Sequence, residues 1–515
     1  MSTASSNAKA PDAAPGSLSA RPLQLLAIIL AAAALIYTHR IASDALNVSE
    51  ACSAWIASRS SIGAIVKVPL AYGAAGTILY YIGLHCFVAM FGLGEAALRG
   101  FSVIFALIAL VLIFAIGREM FDDKTALAAA AIWAINPLAV VFAHLARMYS
   151  MFVAIALAHF YTLWRLRRQP SATMATMCGI LGAAMLYTHP AGALVLGAEA
   201  AMLTRDTVRG RGNPAAWLAI AVAVLLYLPY MPAALSLGRA LTGSHWLDWI
   251  GSGPGFSPAV EAVVLAVAAA AALWLVLGRE FEPAGGGEPL RWLIAWAALP
   301  AGMMLAASIA LRPMFNGRYA APGIAATAIL FAALLTRCGA KSRNLAVAGF
   351  VLSCLILVKF DFPAAQPWRT LARMISVSGR ASDPVIFEAG FPSAVSAAGV
   401  ANNGFPFGYL SFPFNYYFHG NNPRIVVPGY DPPAAKVTIE SRVSAAGGGW
   451  LVSWKSAAAI KSELPNPVQF KITRIFRRED LAIYRITPIA PAAQRPVPGS
   501  APELQTEYGA RSNPN

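Results

Sequence analysis

The sequence predicts an all-α polytopic membrane domain of about eleven transmembrane helices with interfacial helices, followed by a small α/β domain on the outer face. Three observations carry that expectation. Of 515 residues, 58% are hydrophobic and 12% charged, against about 25% charged in an average soluble domain, and mean hydropathy is +0.59. Apolar runs of about 15–20 residues, near the length that spans the hydrocarbon layer, recur from Leu23 to Val358. Beyond Lys359 the composition shifts to short strand-like runs between Gly, Pro and Asn loops. A cytosolic enzyme, a disordered chain and a secreted disulfide scaffold are excluded.

Residues 1–20, rich in Ala, Ser and Pro, read as a disordered cytosolic tail. The first apolar run, Leu23–Thr38, lacks a convincing small-residue cleavage pattern and reads as a span. Further runs lie near 77–92, 99–117, 125–142, 148–164, 172–187, 190–204, 215–231, 258–277, 291–310, 320–336 and 343–358. Several lean on Ala and Gly, which let helices approach closely in lipid. Laying 77–92 at the interface puts fifteen Lys and Arg on the cytoplasmic side, from Lys9 and Arg21 to Arg337, Lys341 and Arg343. The opposite short loops then hold eight, as the positive-inside rule requires. The membrane domain is thus expected over 21–359, with a first outer loop at 39–98 carrying interfacial helices. A periplasmic domain follows over 360–490, with strands expected at Pro384–Phe387, Trp450–Trp454, Phe470–Phe476 and Leu481–Ile486. Residues 491–515 read as a flexible tail.

The net charge of +15 fits loops held against anionic headgroups, and no nucleic-acid partner is expected. Five cysteines without CxxC spacing read as packing residues. No P-loop and no convincing Gly-rich nucleotide fingerprint is present.

The polar residues that can do chemistry fall on the outer side of this topology. The first loop holds Asp44 and Glu50, the second His144, Arg147 and Tyr149, and the third His189. The fourth holds His245, Trp246, Asp248 and Trp249, and the fifth Arg312, Asn316, Arg318 and Tyr319. Convergence on one membrane face is what an interfacial active site requires. Each residue also has a structural reading: Glu50 as the polar face of an interfacial helix, Arg147 and Arg318 as snorkelling anchors, Tyr149 as an aromatic-belt residue. His144 and His189 can be satisfied helix-end histidines, and His85 and His159 read as packing residues.

Five pieces of sequence resemble the GT-C glycosyltransferases that use polyprenyl-phosphate sugars: the protein O-mannosyltransferases, the lipid A aminoarabinose transferases and the rhizobial galacturonosyltransferase-like group. They are Ser49-Glu50-Ala51-Cys52-Ser53, Thr77-Ile78-Leu79-Tyr80-Tyr81, Phe91-Gly92 with Glu95-Ala96-Ala97-Leu98-Arg99, Ala146-Arg147-Met148-Tyr149-Ser150, and Arg318-Tyr319. The chain departs from the family where Ser49 replaces the first acid of the loop-one pair and Leu145 replaces the second-loop Glu. The resemblance implies a GT-C-like fold, a polyprenyl-phosphate-sugar donor, a glycan, lipid or protein hydroxyl acceptor, and an inverting displacement. It makes Glu50 the expected base, with Asp44 as fallback, and Arg147, Tyr149, His144, His189, Arg318 and Tyr319 the substrate-binding set. A phosphate leaving group needs cations rather than a general acid, and the planar fork of Arg suits it. No cofactor is expected. A divalent ion, which some GT-C enzymes bind, would draw on Asp44, Glu50 and Asp248, too scattered for the several oxygen ligands it needs. The expected location is a bacterial-type inner membrane with the site on the periplasmic face. The rival readings are a transporter or flippase of a lipid-linked substrate, and a catalytically degenerate scaffold.

Overall fold

The computed structural model describes residues 20–71, 77–232, 287–310, 317–352 without 338, 342, 345 and 346, 367–389, 411–428, 432–453, 456, 458, 460, 470–478 and 481–489. The apolar run at 258–277, the His245–Trp249 loop, Arg312, Asn316 and both tails lie outside these residues.

Helices dominate the first part. They are α1 (Ala20–Thr38), α2 (Val48–Ala57), α3 (Ile62–Ala71), α4 (Ile78–Phe91), α5 (Glu95–Met120), α6 (Asp123–Ala134) and α7 (Pro137–Ala143). Then come α8 (Tyr149–Arg168), α9 (Ala172–Thr188), α10 (Gly192–Val208), α11 (Pro214–Tyr227), α12 (Gly287–Ala310) and α13 (Ala321–Arg337). Among the described residues, three helices are long and apolar enough to cross a membrane alone: α1, α5, and Gly287–Ala307 of α12. α4, with 14 residues, falls short of the roughly 20 that a span needs. Ile104, Ile108 and Val111 of α5 and Met177 and Ile180 of α9 are exposed, as lipid-facing positions should be. Inside the bundle, small residues set the spacing: a Cβ on Gly323 would lie 2.7 Å from the Ala297 carbonyl oxygen of α12.

One run is broken where the sequence reads it as continuous. The run at 125–142, read as a single span, is two helices, α6 and α7, bent by 60°. Asn136 and Pro137 cause the break. Pro137 has no N–H to continue the ladder and disfavours helical geometry at Asn136. The Asn136 side chain restarts a helix by accepting from Leu138 N at 2.9 Å.

The second part is a five-stranded sheet with helices α14 (Trp368–Ser378), α15 (Ser411–Tyr417) and α16 (Pro432–Ala446). The strands are β1 (Val385–Ala389), β2 (Arg424–Pro428), β3 (Gly449–Ser453), β4 (Phe470–Arg478) and β5 (Leu481–Pro488), in the order β2-β1-β3-β5-β4. β1 runs parallel to β2 and β3, whereas β5 runs antiparallel to β3 and β4. Four strands overlap those read from the sequence, and β2 was not foreseen. Period-two alternation sends Phe387, Trp450, Val452 and Ile483 to one face, against Trp368, Leu371 and Phe414. Ile386, Leu451, Tyr484 and Ile486 pack on the other, against Ile439 and Val443 of α16. The first of these cores includes Val48 of α2, so the sheet domain and α2 share a core.

Candidate functional site

The site is built on the loop between α1 and α2. Two residues past α1, Arg40 holds φ of 53°, a left-handed conformation that non-glycine residues seldom adopt. Arginines from two domains then order the turn. Arg99, near the start of α5, donates from Nη1 to the carbonyl oxygens of Ile41 at 2.7 Å and Asp44 at 2.9 Å, and from Nη2 to Ala45 at 3.4 Å. Arg369 of α14 donates to the carbonyl oxygens of Ala42 at 2.8 Å and Ser43 at 2.9 Å. Arg369 also pairs with Glu95, whose carboxylate accepts from the Tyr417 hydroxyl. The Tyr417 oxygen in turn accepts from Leu46 N at 2.7 Å.

Glu50 closes the loop. Its N–H donates to the Asn47 side chain at 3.0 Å, and its carboxylate accepts from Asn47 N at 3.0 Å, a reciprocal cap that starts α2. The same carboxylate takes a two-pronged pair from Arg99, Nε to Oε1 at 2.8 Å and Nη2 to Oε2 at 3.0 Å. It also accepts from Ala146 N at 3.0 Å. Four donors meet the roughly four lone-pair sites that a carboxylate offers, and Glu50 is only 1% exposed. Each of those sites on the expected base is thus matched by a donor. Its geometry is that of a latch joining the first loop, α5 and the second loop. Asp44 differs: it is exposed, and among the described residues no donor meets its carboxylate.

The second loop is pinned from below. Ser102 of α5 donates to the carbonyl oxygens of Leu145 at 2.6 Å and Arg147 at 3.3 Å. Leu145, standing where the family has Glu, is buried. The Arg147 guanidinium reaches Ser49 O, Ser53 Oγ and Tyr81 Oη, each at 3.4 Å and each a neutral oxygen. Tyr149 stacks on Phe142 at 4.8 Å. His144 turns Nδ1 to Val140 O at 2.9 Å and Nε2 to His39 O at 3.2 Å, tying α7 to the end of α1.

His189 lies in the turn between α9 and α10 and is 4% exposed. Its ring sits between Phe152 and Tyr319, each at 4.9 Å, with Tyr149 at 6.0 Å. Burial, aided by the positive charge of Arg147, holds its pKa down to about 3, so the ring is neutral at physiological pH. Tyr319 belongs to a short 3₁₀ turn, Gly317–Ala320. The side chain of Arg318 lies outside the described residues.

The structure thus gathers Arg147, Tyr149, His189 and Tyr319 on one patch, with Glu50 behind it, Asp44 on the adjoining loop and His144 employed as a tether. Among the described residues no three His, Cys, Asp or Glu side chains converge as a metal site, and Asp248 is not among those residues. Sequence reading quoted Arg99, Ser53 and Tyr81 within the motif pieces but gave them no role, and it missed Ser102. The available signal was Arg99 itself: a charge beside the start of a long apolar run is costly in lipid and kept for a reason.

Residues 77–232 match the family model described as dolichyl-phosphate-mannose-protein mannosyltransferase. No curated protein matches the chain by sequence. Among solved structures, ArnT from Cupriavidus metallidurans bound to undecaprenyl phosphate is similar with a TM-score of 0.54 and 13% identity, covering 91% of this chain and 98% of that one. The same protein in the apo state gives 0.54 and 14%, with the same coverage. The Archaeoglobus fulgidus oligosaccharyltransferase tethered to an acceptor peptide gives 0.52 and 11%, covering 88% of this chain and 72% of that one. The resemblance read from the loop residues therefore extends to the fold of nearly the whole chain.

Proposed function

We propose that this chain, a membrane glycosyltransferase of the GT-C type, moves a sugar from a polyprenyl-phosphate carrier to a hydroxyl acceptor at the periplasmic face of a bacterial-type inner membrane. The eleven-span topology and the periplasmic sheet domain are part of this reading. The acceptor is a glycan, a lipid or a protein. The observation that carries the reading is the patch of Arg147, His189, Tyr149 and Tyr319 beside an ordered acidic loop. Arg147 and Arg318 take the charge that develops on the leaving phosphate. Because Glu50 is saturated, the base is Asp44, whose main chain is held by Arg99 while its carboxylate faces solvent. Asp44 accepts the acceptor's hydroxyl proton. The acceptor oxygen bonds to the anomeric carbon, and the bond from that carbon to the phosphate oxygen breaks. Its electron pair leaves with the polyprenyl phosphate, inverting the centre.

One observation favours the transporter reading. His159 of α8 and Glu199 of α10 form a buried pair, and buried charges within helices are a transporter feature. However, Glu199 also accepts from Trp296 Nε1 at 3.0 Å, and His159 Nδ1 faces the Cys178 carbonyl oxygen at 2.9 Å. Each is spent on holding helices together, which suits a static bundle.

The deciding experiment compares Asp44→Asn with Glu50→Gln in purified full-length protein supplied with polyprenyl-phosphate sugars. Asp44→Asn should keep its thermal stability and lose about 10²–10⁴-fold in transfer rate, as removal of a general base does. Glu50→Gln should lose stability, because it strands the buried Arg99 charge, a break that costs about 3–5 kcal/mol. Full activity of Asp44→Asn with a stable, inactive Glu50→Gln would return the base to Glu50.

A further inference from the structure

The imidazole of His189 is wedged where its protonation pattern is dictated by the backbone. Ala191 N donates to Nδ1 at 3.1 Å. A nitrogen that accepts an N–H carries its lone pair, so in the neutral ring the hydrogen sits on Nε2. The backbone of His189 is held at both of its polar groups. Its own N–H is bonded to Met185 O at 3.0 Å, and its carbonyl accepts from Gly192 N at 2.9 Å. Phe152 stacks on the ring and Tyr319 packs against it at a tilt. Among the described residues, no acceptor takes the Nε2 hydrogen. The atom is not one of the sealed, unpartnered polar atoms of the core, so an incoming ligand can reach it.

We propose that His189 is a ligand-binding residue that presents a fixed, uncharged Nε2–H to a phosphate oxygen of the lipid carrier, beside the cationic Arg147. The inference rests on the carrier reading above and goes further, assigning one nitrogen, one tautomer and one ligand atom. An uncharged donor has a specific merit here. Arg147 already supplies positive charge, and a second cation in the same buried patch would repel it. A neutral N–H adds direction without that repulsion, and it binds the carrier phosphate both before and after the sugar has left.

Two substitutions separate this role from a structural one. His189→Asn places its side-chain oxygen near the Nδ1 position, where it can still accept from Ala191 N, but offers no donor at the Nε2 position. His189→Gln reaches the Nε2 position with an N–H and gives up the contact to Ala191. The probe is undecaprenyl phosphate, titrated against the full-length protein in detergent micelles, with thermal unfolding of each variant measured in parallel. Asn should unfold at the wild-type temperature and bind roughly 3–10-fold more weakly, the loss of one neutral hydrogen bond. Gln should bind within about 2-fold of wild type. Wild-type affinity in the Asn variant would overturn the proposal. So would weak binding by Gln together with tight binding by Asn, which would make His189 a cap for Ala191. If the wild-type protein itself does not bind undecaprenyl phosphate, the carrier reading fails and takes the proposal with it. A normal wild-type titration confines any failure to His189.

Discussion

Arg147 shows how far a residue can be read before its surroundings are known. Its place in Ala146-Arg147-Met148-Tyr149-Ser150 marked it for phosphate, and the structure sets its guanidinium among neutral oxygens of Ser49, Ser53 and Tyr81. A planar fork can grip two phosphate oxygens where an ammonium grips as a point charge. Arg147→Lys is therefore expected to raise KM for the lipid-linked donor about 10-fold, and Arg147→Ala about 100-fold. Steady-state kinetics would check this, and unchanged KM in both variants would leave Arg147 an anchor. Glu50 carries the opposite lesson. Sequence shows the carboxylate and hides its donors. Three of the four donors to Glu50 come from Arg99 and Ala146, distant in sequence, and only the Asn47 cap is local enough to read directly.

At the scale of elements, periodicity and run length located most helices, because an apolar run in lipid has few conformations open to it. They failed where one residue outweighed the run, as Pro137 does between α6 and α7. They failed again at β2, Arg424–Pro428, a five-residue edge strand ending in proline, whose pattern is too short and whose Pro argues against a strand. The buried pair of His159 and Glu199 was invisible for a third reason: His159 alone looks like packing. With Trp296 it ties α8, α10 and α12. Glu199→Ala should destabilise the purified protein by about 3 kcal/mol or more, because two buried polar groups lose their partner. Glu199→Gln can accept from Trp296 and donate to a neutral His159, and should cost under about 1 kcal/mol. Denaturation in detergent micelles would measure both, and equal losses would show that charge rather than hydrogen bonding holds the helices.

For the whole molecule, the distribution of basic residues predicts sidedness. The turn at Phe121, between α5 and α6, should face the cytoplasm, and His419, exposed in the sheet domain, the periplasm. Single cysteines at these positions in a Cys-free background should divide cleanly: a membrane-impermeant maleimide added to intact spheroplasts labels His419→Cys and spares Phe121→Cys. Labelling of Phe121→Cys from outside would invert the topology and remove the case for an outward-facing site.

The five consecutive carbonyl groups from Ile41 to Ala45 are claimed by Arg99 from the membrane domain and Arg369 from the sheet domain. The loop proposed to carry the base is thus a jointly owned part, and neither owner can shape it alone. Exchange of sheet domains between relatives would therefore fail unless the arginine on the donor helix and the loop it grips were inherited together. The two halves are separate in architecture but bound to a common lineage, with the seam between them running through the residues proposed to carry the reaction.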